Sequence, residues 1–175
     1  MINKCVFLAF VLVCLSACND EETTENVNES HNCETTDSVR KETVKLINEA
    51  RSLSRQCGSE VFYPVPPVTW NDNLQKAAKK HSDDMANNNF FDHIGSDGSN
   101  TGDRIINQGY NWITYRENIF AGAESFQEAI DEWLKSAEHC ANIMAPDVKE
   151  MGAACSPHAG TKDTTYWTQV FALSY

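Results

Sequence analysis

The chain has 175 residues, 41% of them hydrophobic, with a formal net charge of −11; this length fits one compact domain and excludes a large enzyme. With 14 Lys and Arg against 25 Asp and Glu, it repels phosphate backbones and anionic headgroups alike, so no nucleic-acid partner is expected. Seven cysteines are many for a reducing compartment and point to export.

The chain opens on a short polar start carrying Lys4, followed by an unbroken apolar run from Cys5 to Leu15. That is the length of a signal-peptide core and too short to span a bilayer. Residues 1–17 are therefore read as a lipoprotein signal peptide. Its end, Leu15-Ser16-Ala17-Cys18, resembles the bacterial lipobox, which makes Cys18 the lipidation site; an ordinary cleavage site before a cysteine is the alternative. Residues 18–38 hold seven acidic residues, no Lys or Arg and one aliphatic side chain, Val27. Such a segment cannot bury apolar surface and reads as a disordered tether. The domain is expected at 39–175, where 13 basic residues face 18 acidic ones.

Val39, Thr43, Leu46, Ile47, Ala50 and Leu53 recur at helical spacing and predict a first helix that stops at Cys57-Gly58. Pro64, Pro66 and Pro67 forbid regular structure up to Trp70. Asn71 then caps a second helix with Leu74, Ala77, Ala78, His81 and Met85 on one face, ending near Asn87. The Gly95-Ser96-Asp97-Gly98 loop leads to a short helix with Ile105 and Ile106. Ser125 starts a fourth helix whose face holds Phe126, Ala129, Ile130, Trp133, Ala137 and Cys140. Val148–Cys155 and Thr165–Leu173 are short, partly β-branched or aromatic, and predict strands. Helices first and strands last give an α+β fold, helices packed on an antiparallel sheet.

HExxH, CxxC, a Walker loop and GxSxG are all absent, which removes the chemistries they carry. The stretch Asp97–Asp103 looks like a calcium loop, but Gln108 stands where an EF-hand needs its bidentate Glu, so turns are expected there. His81 shares the stripe of Leu74, Ala78 and Met85 and reads as a core histidine. His31 lies in the tether and His158 in a loop. His93 ends a loop after Phe90-Phe91, and His139 ends a helix on which Glu132, Ser136 and His139 fall at i, i+4 and i+7. Two imidazoles with a carboxylate such as Glu117 make a candidate divalent-metal or acid–base set. Arg104 and Tyr115, near the same loops, read as scaffold.

Five segments in order, His81-Ser-Asp-Asp-Met85, Phe91-Asp-His93, Arg116-Glu117-Asn118-Ile119, Trp133 to Met144, and Tyr166-Trp-Thr-Gln169-Val-Phe171, resemble the motif series of the CAP superfamily. This family groups cysteine-rich secretory, antigen 5 and pathogenesis-related 1 proteins, and the chain is similar to its bacterial SCP-domain branch from about Val39 to Ala172. The resemblance implies an α-β-α sandwich with a small antiparallel sheet between helices. It also implies a cleft lined, in eukaryotic members, by two His and two Glu able to hold a divalent ion. His93 and His139 match the histidines and Glu117 the first glutamate; Ser136 stands where the second glutamate is expected, with Glu132 one turn earlier. A divalent metal, zinc or magnesium, is thus the only cofactor implied.

Three functions follow as expectations. The first is a monomeric module, exported and membrane-anchored through Cys18 in a bacterial cell envelope, whose cleft binds a small molecule, lipid or envelope component. The second is a metal-assisted hydrolase or protease acting on peptide or envelope polymer, with Glu117 as base. The third is a structural envelope protein with a vestigial cleft. Cys5 and Cys14 leave with the signal peptide. The fifteen-residue separation of Cys140 and Cys155 around Pro146 suggests a Cys140–Cys155 disulfide, and elimination then pairs Cys33 with Cys57.

Overall fold

The computed structural model of the protein describes residues 33–158 and 165–175. The residues read as a signal peptide, Cys18 and His31 lie outside the described residues, as do residues 18–32 of the segment read as a tether. No helix among the described residues is long and apolar enough to cross a membrane.

Helix α1 spans Asp37–Arg51, its first turn capped by the Thr36 hydroxyl accepting from the Val39 amide. It ends six residues before the predicted stop. Leu53 is exposed, and Gly58 serves a different purpose: with φ +62° it makes the turn between β1 (Arg55–Cys57) and β2 (Glu60–Phe62). The buried Arg51 guanidinium donates to the carbonyls of Pro66, Ile143 and Ala145, tying the proline segment to the chain that follows the last helix. Strand β3 (Thr69–Trp70) is followed by α2 (Asp72–Asn88), capped by Asn71 as the sequence predicts. Helix α3 (Thr101–Asn107) opens on a capping box of Asn100 and Asp103. The side chains of the calcium-like loop are thus spent on a cap and, at Asp97, on the Ser99 amide, as its reading as turns expects.

Strand β4 (Trp112–Ala121) is absent from the strands that the sequence pattern predicts. It pairs antiparallel with β6 (Thr165–Ser174) over most of its length, and β6 pairs antiparallel with β5 (Glu150–Pro157). A two-residue parallel contact adds β3, giving the order β3-β5-β6-β4. Helices α2 and α3 cover one face of this sheet; α1, α4 (Phe126–Lys135) and α5 (Ala137–Ile143) cover the other. The α-β-α sandwich implied by the sequence motifs is the fold observed. Ala153, Cys155, Trp167 and Phe171 join Ile47, Ile130 and Trp133 in one core, while Ala154, Val170 and Ala172 meet Leu74, Ala77 and Ala78 in the other. At Gly152 a Cβ would lie 2.1 Å from the Gln75 amide nitrogen, so only glycine lets α2 lie this close to β5.

Two expectations are corrected here. The predicted fourth helix is two helices, because Ser136 is extended (φ −88°, ψ 133°) and ends α4 while beginning α5. The break keeps Trp133 in the main core but turns Cys140 and Met144 onto Cys57 of the hairpin, which one straight helix face would not reach. The disulfides are Cys33–Cys155 and Cys57–Cys140, not Cys33–Cys57 and Cys140–Cys155. Cys155 sits five residues into β5, roughly 17 Å along the strand, and faces the core with Trp167 and Ile47. Strand extension thus carries it away from α5. The Cys33 bond also draws residues 33–38, read as tether, against the folded domain.

Candidate functional site

Neighbouring residues of a strand face opposite sides of the sheet, and the site is built on that alternation in β4. Glu117 points toward α2 and α3; Asn118 points toward α5. Because β4 is an edge strand, groups from the two helical layers meet around its free side. That side is closed by side chains: the carbonyls of Tyr115, Glu117 and Ile119 accept from Arg116 Nη1 (2.8 Å), Asn142 Nδ2 (3.2 Å) and Trp133 Nε1 (3.0 Å). These three carbonyls are thereby satisfied, which protects the middle of the edge against strand addition.

On the α2/α3 side the Glu117 carboxylate is almost fully buried, and each of its oxygens has a partner. Oε2 accepts from Arg104 Nη2 at 2.8 Å, and His93 Nδ1 lies 2.8 Å from Oε1. Arg104 is equally buried and also donates to the carbonyls of Ser99 and His93 and to the Thr101 hydroxyl. It reaches Glu117 because α3 packs tightly on β4: a Cβ at Gly102 would lie 2.9 Å from the Tyr115 ring, and Trp112 Nε1 donates to the Gly102 carbonyl. His81, fully buried on α2, has Nε2 2.9 Å from the Asp92 carbonyl and 3.9 Å from Glu117 Oε1. It is a core histidine that also borders the site.

These neighbours set the protonation states. Burial pushes the Glu117 carboxyl up, but His93, Arg104 and His81 together outweigh that and hold it below the ordinary carboxylate range. The hydrogen bond to Glu117 raises His93, against the opposing effect of partial burial. Burial, the largest influence on His81, holds its pKa below the usual imidazole value.

On the α5 side the groups are neutral. Asn118 Nδ2 donates to the His139 carbonyl (3.2 Å) and to Gln169 Oε1 (3.1 Å), and its Oδ1 accepts from Asn142 Nδ2 at 2.9 Å. This amide cluster fixes the α5 backbone that carries His139. The His139 ring, half-buried, makes no hydrogen bond among the described residues; its pKa is lowered by burial and then by the charge on His93.

Of the residues singled out from sequence, His93 and Glu117 are in contact, while His139 is carried by α5, whose backbone is tied to Asn118. Glu132 and Ser136 do not join them: the Glu132 carboxylate pairs with Lys135, and Ser136 is spent on the helix break, so the expected common face of Glu132, Ser136 and His139 does not exist. Arg104, read as scaffold, contacts Glu117 at 2.8 Å. Its only sequence signal is its place one turn into a helix that follows the His93 loop.

A resident divalent ion does not fit this donor set. Both Glu117 oxygens are taken by N–H donors, a guanidinium stands beside them, and Ser136 supplies no second carboxylate. Among the described residues no three His, Cys, Asp or Glu side chains are arranged to hold a metal.

The fold and the β4 site define an SCP-type domain. Residues 44–171 match the family "CAP: Cysteine-rich secretory protein family", and the chain belongs to that family. It is 28% identical over 107 residues to the uncharacterized protein YkwD of Bacillus subtilis (strain 168), covering 61% of this chain and 40% of that one. In structure it is similar to an extracellular protein containing a SCP domain from Bacillus anthracis str. Ames, with TM-score 0.62, 24% identity and coverage of 77% of this chain and 40% of that one. It is similar as well to an outer surface protein from Borrelia burgdorferi, with TM-score 0.61, 20% identity and coverage of 81% and 97%. The chain thus spans 40% of the length of both Bacillus relatives.

Proposed function

We propose that the protein is an exported CAP domain, tethered to a cell-envelope membrane through a lipid on Cys18, whose β4-edge cleft binds a small molecule, lipid or envelope component as a monomer. The observation that carries this reading is the state of His93. One ring nitrogen is fixed on a buried carboxylate while the side chain remains 52% exposed, which is how a recognition group is pre-organised without being consumed. The extracellular and outer-surface descriptions of the two structural neighbours support export. A hydrolase with Glu117 as base loses support, since that carboxylate has no free oxygen to take a proton. A purely structural role leaves the exposed ring of His93 without a purpose.

Mass spectrometry of molecules copurifying with the full-length protein tests the cleft. A ligand retained by the wild type and lost from a His93→Ala/His139→Ala variant of unchanged stability is the expected result. Equal retention by both forms would place binding elsewhere. For the tether, Cys18→Ser is expected to release the protein from the membrane fraction; membrane association with unchanged mobility would remove the lipobox reading.

A further inference from the structure

The strand order β3-β5-β6-β4 leaves a second sheet edge at β3, at the far end from Glu117. Side chains close the middle of the β4 edge; the β3 edge is only half closed. Residues along a strand turn their backbone groups alternately to one neighbour and the other. The Thr69 and Asn71 amides donate into β5, to the carbonyls of Lys149 (3.0 Å) and Met151 (2.8 Å), so the N–H and C=O of Val68 and Trp70 face outward. At Val68 one side chain answers both: the Asn48 carboxamide accepts from the Val68 amide and donates to the Val68 carbonyl, each at 2.9 Å. A carboxamide carries the donor and acceptor of a peptide bond. Asn48 of α1 thus imitates one residue of an added strand.

The imitation stops at Trp70. One turn before Asn48, α1 carries Val44, which has no amide side chain to offer. Here an open cavity of about 500 Å³ lies between helix and strand, lined by Asp37, Arg40, Lys41 and Val44 of α1 and by Thr69 and Trp70 of β3. A groove between a helix and a free strand edge is the geometry that binds extended peptides, main-chain pairing giving affinity and side-chain pockets specificity. The Trp70 indole is held in place: its Nε1 donates to Asp72 Oδ1 (3.2 Å), and Arg40 Nη1 lies 3.1 Å from the same oxygen. Arg40 also pairs with Asp37 at 3.7 Å. Both carboxylates are therefore held by Arg40, while Lys41 is exposed and forms no ion pair among the described residues.

We propose that the β3 edge is a peptide-docking site for an extended segment of another protein. The segment pairs its backbone with the outward N–H and C=O of Trp70, continuing the strand that Asn48 imitates. It lays an apolar side chain between Trp70 and Val44 and presents a carboxylate to Lys41. Residues 19–32 of this chain do not meet these requirements, since Val27 is their one aliphatic side chain. The site uses none of His93, Glu117 or His139 and does not rest on the ligand reading above.

Backbone and indole 15N–1H spectra of the full chain, titrated with the blocked peptide acetyl-Thr-Val-Glu-Val-Thr-amide, test it. The expected result is a saturable shift of the Trp70 amide and indole N–H, with the His93 imidazole unmoved. The same peptide N-methylated throughout keeps its side chains, loses every backbone donor and is expected not to bind. Lys41→Glu, an exposed substitution, is expected to weaken the peptide about threefold and to favour its Glu-to-Lys analogue by a similar factor. No saturable shift at Trp70, or equal binding of the N-methylated peptide, overturns the inference. An affinity unchanged by Lys41→Glu overturns the carboxylate preference. A Trp70 amide already protected from hydrogen exchange in the peptide-free chain also overturns the inference, because the edge is then filled from within.

Discussion

Two sides of one strand solve the same problem differently. Glu117 and Asn118 are consecutive in β4 and both are buried, yet Glu117 is neutralised by a guanidinium and an imidazole while Asn118 is satisfied by two amides and a carbonyl. The charged side concentrates electrostatic free energy in a few contacts that hold an imidazole at the surface. The neutral side spreads weaker hydrogen bonds over a backbone segment and positions His139 without charge. One side tunes protonation; the other fixes geometry.

The sharpest way to break this contrast is Arg104→Met, which leaves the buried Glu117 charge without its guanidinium partner. Breaking such a pair costs about 3–5 kcal/mol, read as a loss of unfolding free energy in urea. The double variant Arg104→Met/Glu117→Gln should lose clearly less, because no charge is then stranded; equal losses would mean that packing, not charge, dominates. Next is the Cys57→Ser/Cys140→Ser variant, which frees the hairpin from α5. Opening a cross-link with a sequence separation of 83 is expected to cost about 3 kcal/mol, and the His139 resonance should broaden while His93 stays sharp. On the neutral side, Asn118→Ala strands a buried amide donor and two acceptors and is expected to cost about 2 kcal/mol, with little change in the His93 titration.

The smallest effects are the most diagnostic. His93 should titrate above 6.5 by NMR, and Glu117→Gln should bring its midpoint down, because the hydrogen bond to Glu117 is the main cause of the rise. The sign is fixed by linkage: the stability His93 contributes is full below pH 6.5 and is lost as pH rises through its folded value. His81 acts oppositely, since its lowered value removes stability as pH falls through 6.5. Ser136→Ala should change stability by less than about 0.5 kcal/mol, because the Ser136 side chain makes no capping hydrogen bond.

Legibility followed the range of the signal. Helices α1 and α2 were readable because their apolar residues recur within a few turns and Asn71 is a local cap. Strand β4 was not, since Arg116, Glu117 and Asn118 occupy its centre and the residues that build the site erase the alternation that would announce the strand. His93, Glu117 and His139 were identifiable from motif order, whereas Arg104 was not, because a charged residue on a short helix looks the same whether it meets solvent or a buried carboxylate.

The sequence by itself determined the class of fold, since periodicity, caps and ordered motifs are written in short stretches of chain. Only the tertiary structure decided that Cys155 joins Cys33 and Cys140 joins Cys57, that the helix bearing His139 breaks at Ser136, and that Arg104 rather than a second carboxylate completes Glu117. Each of these depends on which distant segments are stacked against one another. Close packing across layers fixes that stacking, and no local spacing encodes it.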